Sequence, residues 1–367
     1  MNVLHVSTPF TWRGGEQQAA YLAAALQQQQ VNNLVLCPSR SALAHRLHGT
    51  EVEIAPYFSR GFMGLSLARR IAASTRMYPF DVVHTHDAHA HTAAVLAAAL
   101  FAMETPVVVS RRVDFPVSDS VFSRWKYNHS SVRKIICVSH AIREMTAPAL
   151  RDQSKLCVVH SGIDTARYTD AVVPADIRSE LGLSPDARLV GNLSALADHK
   201  DYPTFLRVAE QVLKELPDVR FIIAGAGPDE ATLRQQIHKM GLQERVLLIG
   251  FRTDVPEVMK SLDLFLITSK TEGLGTIVLE AFAGKVPVVA TAAGGIPELV
   301  EHEVTGLLSP VGDDVSLSHA VIRVLRDAGL RETLTAAAAR KAESFSFRMT
   351  AMKTLDVYRE VASNRQS

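Results

Sequence analysis

Two glutamates, Glu272 and Glu280, stand in the window of this chain whose residue types and spacing best support chemistry. The window runs Ser269-Lys270-Thr271-Glu272-Gly273-Leu274-Gly275-Thr276-Ile277-Val278-Leu279-Glu280-Ala281-Phe282-Ala283 and follows the apolar run Leu264–Thr268, which reads as a buried strand. Gly273 and Gly275 mark a turn where backbone approaches something closely. A helix starting near Gly275 or Thr276 turns its unpaired N–H groups and positive dipole end toward that turn, which suits a diphosphate. Glu272 then lies ahead of the turn and Glu280 about one turn inside the helix. Each carboxylate can accept two hydrogen bonds from a vicinal diol, so one is expected at a sugar and the other at a ribose.

Other segments just after strands carry reactive types. Arg13-Gly14-Gly15-Glu16 joins the first strand to its helix, and Gly15 allows backbone to approach a phosphate or an acceptor. Asp81-Val82-Val83-His84-Thr85-His86-Asp87-Ala88-His89-Ala90-His91 holds four histidines in eight residues. His84 and His86 share one face of a strand end. A zinc site there lacks an acidic or cysteine pattern to complete it. Ser110-Arg111-Arg112 follows another strand, and Arg111 or Arg112 is expected to bind an acidic acceptor. Ala224-Gly225-Ala226-Gly227-Pro228-Asp229-Glu230 has only part of a dinucleotide fingerprint, with Glu230 in place of the third glycine. That argues against a nicotinamide dehydrogenase.

The Glu-x7-Glu window, with Gly284-Lys285-Val286-Pro287-Val288-Val289-Ala290-Thr291-Ala292-Ala293-Gly294-Gly295-Ile296-Pro297-Glu298 behind it, resembles the retaining glycosyltransferases of family 4, of GT-B fold. The resemblance covers nearly the whole chain and is strongest from Leu189 to Leu308. It implies that Glu272 faces the transferred sugar, that Glu280 holds the ribose, and that backbone at Leu274, Gly275 and Thr276 contacts phosphate or sugar. Gly294, Gly295 and Pro297 then shape a neighbouring loop. In Gly191-Asn192-Leu193-Ser194-Ala195-Leu196-Ala197-Asp198-His199-Lys200-Asp201, Lys200 takes the place of a diphosphate-binding lysine. Asn192 stands where the family usually has arginine, so Arg252 is the further cation expected to help. Gly250-Phe251-Arg252 sits where the base usually rests. His86 matches a histidine that hydrogen-bonds the donor sugar, with His89 and His91 exposed early in the next helix. Val138-Ser139-His140-Ala141-Ile142 and His160-Ser161-Gly162-Ile163-Asp164 complete the match.

By this resemblance the chain moves a sugar from a UDP- or GDP-linked donor to a hydroxyl of a glycan, lipid-linked or small-molecule acceptor, in cell-envelope glycan synthesis. Catalysis falls to Glu272, His86 and Lys200; the donor site comprises Gly15, Asn192, Lys200, Arg252, Glu272, Leu274, Gly275, Thr276 and Glu280. The nucleotide-sugar is a substrate, and no cofactor is expected. No Asp-x-Asp occurs in the chain, so the transfer is expected to need no metal. A nucleotide-sugar epimerase on the same fold, and a non-catalytic nucleotide-sugar-binding subunit, are the rival readings.

The elements that must position these residues alternate along the chain. Val3–Val6, Asn33–Cys37, Val82–His84, Val107–Ser110 and Lys134–Val138 read as strands, with helices over Glu16–Gln29, Ala88–Met103 and Asp119–Ser130. The alternation pauses from Ser161 to Pro185, which holds a Val-Val-Pro run, and then restarts. Strands follow at Arg188–Leu193, Val219–Ala224, Arg245–Ile249, Leu264–Thr268 and Val286–Ala290. Helices lie at Tyr202–Leu216, Asp229–Met240, Val255–Lys260 and Thr276–Ala283. The expected fold is α/β: two Rossmann-like domains facing across a crevice. Residues 1–165 form the acceptor-binding domain and 166–344 the nucleotide-sugar-binding domain. Within 345–367 a last helix, Phe345 to Ala362, with apolar Met349, Met352, Leu355 and Val361 spread along it, packs back on the first.

Composition agrees. A length of 367 residues with 47% hydrophobic residues suits two α/β domains. Net charge is +1, which argues against nucleic acid as a partner. From Met1 to Asp164 there are 16 Lys/Arg against 11 Asp/Glu, leaving 23 against 27 in the remainder. The basic first part can attract an anionic acceptor or an acidic membrane surface. Cys37, Cys137 and Cys157 read as reduced, buried residues. The start lacks a signal-peptide pattern, and the apolar stretch Ala93–Met103 is far shorter than a spanning helix needs. The chain is expected in the cytoplasm, with peripheral contact at the inner membrane face.

Overall fold

The structure is a computed structural model that describes residues 1–58, 63–169 and 177–363. The Val-Val-Pro run of the expected interdomain connection lies outside the described residues. The chain forms two compact units: Met1–Gly162 with Phe347–Ser367, and Ile163–Ser346.

The first unit is built on strands β1 (Asn2–Val6), β2 (Asn32–Pro38), β3 (Glu53–Tyr57), β4 (Val82–Thr85), β5 (Val107–Arg111), β6 (Val132–Cys137) and β7 (Leu156–Val158). They form one sheet in the order β3-β2-β1-β4-β5-β6-β7, paired in parallel throughout. β4 and β5 are buried along their whole length, as strands covered by helices on both faces must be. Strand order reverses between β1 and β4, so their carboxyl ends flank a topological switch point, where open α/β sheets bind ligands. β3 and β7 escape the sequence reading: β3 contains Pro56, and β7 is only three residues long.

The second unit holds β8 (Leu189–Leu193), β9 (Arg220–Ala224), β10 (Val246–Gly250), β11 (Leu264–Ile267), β12 (Val288–Thr291) and β13 (Leu307–Ser309). Their order is β10-β9-β8-β11-β12-β13, again parallel, with the reversal between β8 and β11. Phe205 and Phe221, edge to face at 5.7 Å, sit in its core with Leu264, Leu266, Leu317 and Val321.

The last helix, Phe347–Ser363, belongs to the first unit. Its buried face uses only part of the apolar set along it. Ala351, Leu355, Val357, Tyr358 and Val361 join Val3, Leu22, Val82 and Ile136 in one cluster, whereas Met349 and Met352 are exposed. The Tyr358 hydroxyl finds a buried partner in His84, which lets a tyrosine sit in this core.

Candidate functional site

In the second unit the loops after β8 and β11 are stitched together at the switch point. Thr268 Oγ1 lies 3.0 Å from the Lys200 carbonyl and 3.1 Å from that of Asp201, and the Lys270 N–H donates to the His199 carbonyl at 2.8 Å. This holds Lys200, at the end of a short 3-10 turn, against Glu272. Lys200 Nζ donates to Glu272 Oε1, and Ser269 Oγ donates to the same oxygen at 2.8 Å. The two charged side chains are only 12% and 10% exposed and pair with each other.

The loop after β12 is moulded on the backbone of Glu272. The Gly295 N–H donates to the Glu272 carbonyl at 3.0 Å. A Cβ on Gly294 would fall 2.0 Å from that carbonyl oxygen, and Gly294 has φ +51, so both sterics and backbone require glycine there. Gly275 caps the helix Thr276–Ala283 with φ +81, which swings the chain from the buried Leu274 into the first turn. Glu280 projects from the second turn of that helix. It is 8% exposed, and its Oε2 accepts from the Tyr168 hydroxyl at 2.5 Å. Burial raises the Glu280 pKa, and the Tyr168 hydrogen bond opposes the rise.

Two expected donor ligands are engaged otherwise. Asn192 is 1% exposed; its Nδ2 donates to the Leu266 carbonyl at 2.8 Å and its Oδ1 accepts from Ser194 Oγ at 2.7 Å and the Tyr202 hydroxyl at 3.1 Å. The carboxamide thus extends the β8–β11 ladder, which backbone pairing carries only through Val190 and Gly191. It braces the sheet where a phosphate ligand was expected. Arg252 is clamped by Glu180 (2.6 and 3.0 Å) and Asp254 (2.9 and 2.6 Å), and these carboxylates raise its pKa. Two neighbouring negative charges offset the extra cation. Gly225 and Gly227 serve close packing: a Cβ would fall 1.9 Å from the Ser194 carbonyl oxygen and 2.1 Å from that of Leu196.

In the first unit, Glu16 closes the start of the helix Gly14–Gln28, its Oε2 accepting from the Arg13 N–H at 2.8 Å. A Cβ on Gly15 would meet nothing within 4 Å, so packing does not demand that glycine. His86, after β4, lies with Nε2 3.0 Å from His5 Nδ1 and with Nδ1 3.5 Å from Arg112 Nη1. His5 Nε2 lies 3.2 Å from Asn33 Oδ1; His84 lies 2.5 Å from the Tyr358 hydroxyl and 2.8 Å from Ser110 Oγ. Burial, reinforced by Arg112, lowers the pKa of all three imidazoles, that of His5 to about 4. They are therefore neutral at physiological pH. His5 brings a third ring nitrogen within 4.8 Å of those of His84 and His86. A metal there would have to displace these hydrogen bonds beside a guanidinium, which opposes it. A cavity of about 20 Å³ beside His84, Ser110 and Arg112 has room for about one water.

Neither expected acceptor arginine is a solvated rim residue. Arg111 is 6% exposed, donates to the Phe115 carbonyl, and stacks 5.2 Å from the Phe115 ring. Arg112 donates to the His86 carbonyl at 3.3 Å, and burial brings its pKa down to about 10. His89 is exposed, but His91 is buried, 4.8 Å from the Tyr127 ring. Sequence reasoning missed Tyr168, Ser269 and His5. Ser269 was inside the window it singled out; Tyr168 and His5 carried no spacing signal.

Comparison with known proteins follows these two units. A profile for Glycosyltransferase Family 4 matches residues 12–167, and one for Glycosyl transferases group 1 matches residues 175–341. The N-acetyl-alpha-D-glucosaminyl L-malate synthase of Bacillus anthracis is 27% identical over 277 residues, 74% of this chain and 72% of that protein. The lipopolysaccharide core biosynthesis mannosyltransferase LpsB of Rhizobium meliloti is 33% identical over 212 residues, 55% of this chain and 60% of that one. Among solved structures, Anabaena HepE in complex with UDP and glucose superposes with a TM-score of 0.85 at 23% identity, covering 98% of this chain and 100% of that one. The chain belongs to the family 4 glycosyltransferases and has the GT-B fold.

Proposed function

We propose that the chain transfers a glycosyl group from a UDP- or GDP-linked sugar to an acceptor hydroxyl, with retention at the anomeric carbon. The observation that supports this best is one short helix start served by two differently held carboxylates. Glu272 is held by the cation Lys200, and Glu280 by the hydroxyl of Tyr168. A diphosphate arriving at Gly275–Thr276 would compete for Lys200, leaving Glu272 to hold sugar hydroxyls. Glu280 would hold the ribose. The bond from the anomeric carbon to the β-phosphate oxygen breaks with its electron pair on the phosphate. The acceptor oxygen bonds the same face of that carbon, and its proton passes to a phosphate oxygen. Lys200 and the helix N-terminus stabilise the leaving group, and neutral His86 orients the sugar.

Arg111 and Arg112 each keep a buried Nε with no hydrogen-bond partner among the described residues, and Arg112, which also reaches His86, is the one we assign to an anionic acceptor. One relative is named for L-malate, a dicarboxylate, and another for lipopolysaccharide core, which supports an anionic or envelope acceptor. HepE was solved with UDP and glucose, which supports a nucleotide-sugar donor. The absence of Asp-x-Asp supports metal independence. A thermal-shift screen of nucleotide sugars tests the donor: UDP- or GDP-sugars should raise the melting temperature with EDTA present, and Glu280→Gln should weaken the response. A response that requires a divalent cation, or none to any nucleotide sugar, would contradict the proposal.

A further inference from the structure

The helix Val121–Asn128 is amphipathic the wrong way round for water. A surface helix normally buries its apolar side and exposes its charges. Here Lys126 points inward, 8% exposed, its Nζ 3.2 Å from Thr92 Oγ1 and 5.5 Å from the Tyr127 ring. Val121, Phe122 and Trp125 point outward, 87%, 50% and 38% exposed. Phe122 and Trp125 touch with ring centroids 5.6 Å apart, and Trp125 reaches His129 at 5.2 Å, so the outer face is an aromatic cluster. The preceding loop adds exposed Val113 and Phe115.

The surrounding charge identifies what covers this face. From Asp119 to Asp152 the chain has six Lys/Arg against three acidic residues, Asp119, Glu144 and Asp152. Arg133, Arg143 and Arg151 are exposed, as is Arg124, which pairs with Asp119 at 2.8 Å. Asn128 Oδ1 accepts from the Arg151 N–H at 2.7 Å, and Lys155 Nζ lies 3.4 Å from the His129 carbonyl, which sets both residues beside the end of the helix. Tryptophan, phenylalanine and flanking cations are what the boundary between headgroups and acyl chains of an anionic bilayer selects.

We propose that this face docks the first unit on an anionic lipid bilayer, with Phe122 and Trp125 in the interface and the arginines on the headgroups. The proposal rests on this face alone, so failure of the donor reading leaves it standing. The chain has two tryptophans, and Trp12→Phe leaves Trp125 as the sole reporter. With vesicles of equimolar phosphatidylglycerol and phosphatidylcholine, its emission should shift to the blue and be quenched by brominated acyl chains. Phosphatidylcholine alone should do neither. In co-sedimentation of the otherwise unaltered chain, Phe122→Ser should lower partition roughly tenfold without changing the circular dichroism. Unshifted emission on the anionic vesicles would overturn the proposal, as would equal binding to both vesicle types. So would a dimer that Phe122→Ser dissolves in sedimentation velocity, since a second copy would then cover the face.

Discussion

Removing the Tyr168 hydroxyl tests how Glu280 is held. At 2.5 Å the bond is in the range of a charge-assisted O–H···O⁻ contact. Burial raises the Glu280 pKa above the ordinary 4.5, and the Tyr168 hydrogen bond lowers it. A raised folded pKa means that the carboxyl favours folding most when protonated, and that this contribution is lost as pH rises through the folded value. Tyr168 reduces that loss, because its hydroxyl binds the ionised form more strongly than the neutral one. Tyr168→Phe should therefore cost about 1.5–3 kcal/mol at the alkaline end of a pH series, where the bond is to a charge, and about 0.5–1.5 kcal/mol at the acid end, where Glu280 is protonated. In the unit spanning Ile163–Ser346 the alkaline cost corresponds to a melting temperature lower by roughly 3–12 °C. Differential scanning calorimetry of the whole chain at both pH values, with Glu280→Gln and the double variant, measures the coupling. An equal cost at both pH values would refute the reasoning, as would a cost that Glu280→Gln leaves unchanged.

Three further outcomes follow. Glu272→Gln should mainly lower kcat and Glu280→Gln mainly raise the donor KM; kcat/KM within about twofold of wild type for both, under ~0.5 kcal/mol, would contradict these roles. Gly294→Ala, which must push the Glu272 carbonyl aside, should cost about 1–3 kcal/mol in thermal or chemical unfolding, whereas Gly15→Ala should cost under ~1 kcal/mol. The first unit should lose stability as pH falls from 6.5 toward 4. The depressed pKa of His5 gives stability that is present above 6.5 and lost on the way down to about 4, about 3 kcal/mol for that residue alone, and His5→Gln should flatten the acid limb of a pH–stability curve.

The parallel sheets and the window around Glu272 were legible in the sequence because both are local patterns. Apolar runs alternate with helical stretches, and the glycines and glutamates of the window are neighbours in the chain. The partners that hold those glutamates were not legible. Tyr168 and Glu280 are joined across 112 positions, and Lys200 and Glu272 across 72. Asn192 was placed at the diphosphate by the resemblance, and only the pairing of β8 with β11 shows the Leu266 carbonyl beside it. The last helix was placed by its pattern, but its inward face was not. Tyr358 reads as polar until His84 is found beside its hydroxyl.

Retaining transfer from a nucleotide-diphosphate sugar leaves its signature in the anomer first released, which a time-resolved proton NMR spectrum reads. The chain is incubated with α-linked UDP- and GDP-sugars, with water as the acceptor, and the anomeric signals are followed before mutarotation scrambles them. Retaining transfer gives nucleoside diphosphate release with the α-anomer of the free sugar appearing first, and both signals should be largely suppressed in Glu272→Gln. A β-anomer appearing first, or no diphosphate released from any donor, would contradict it.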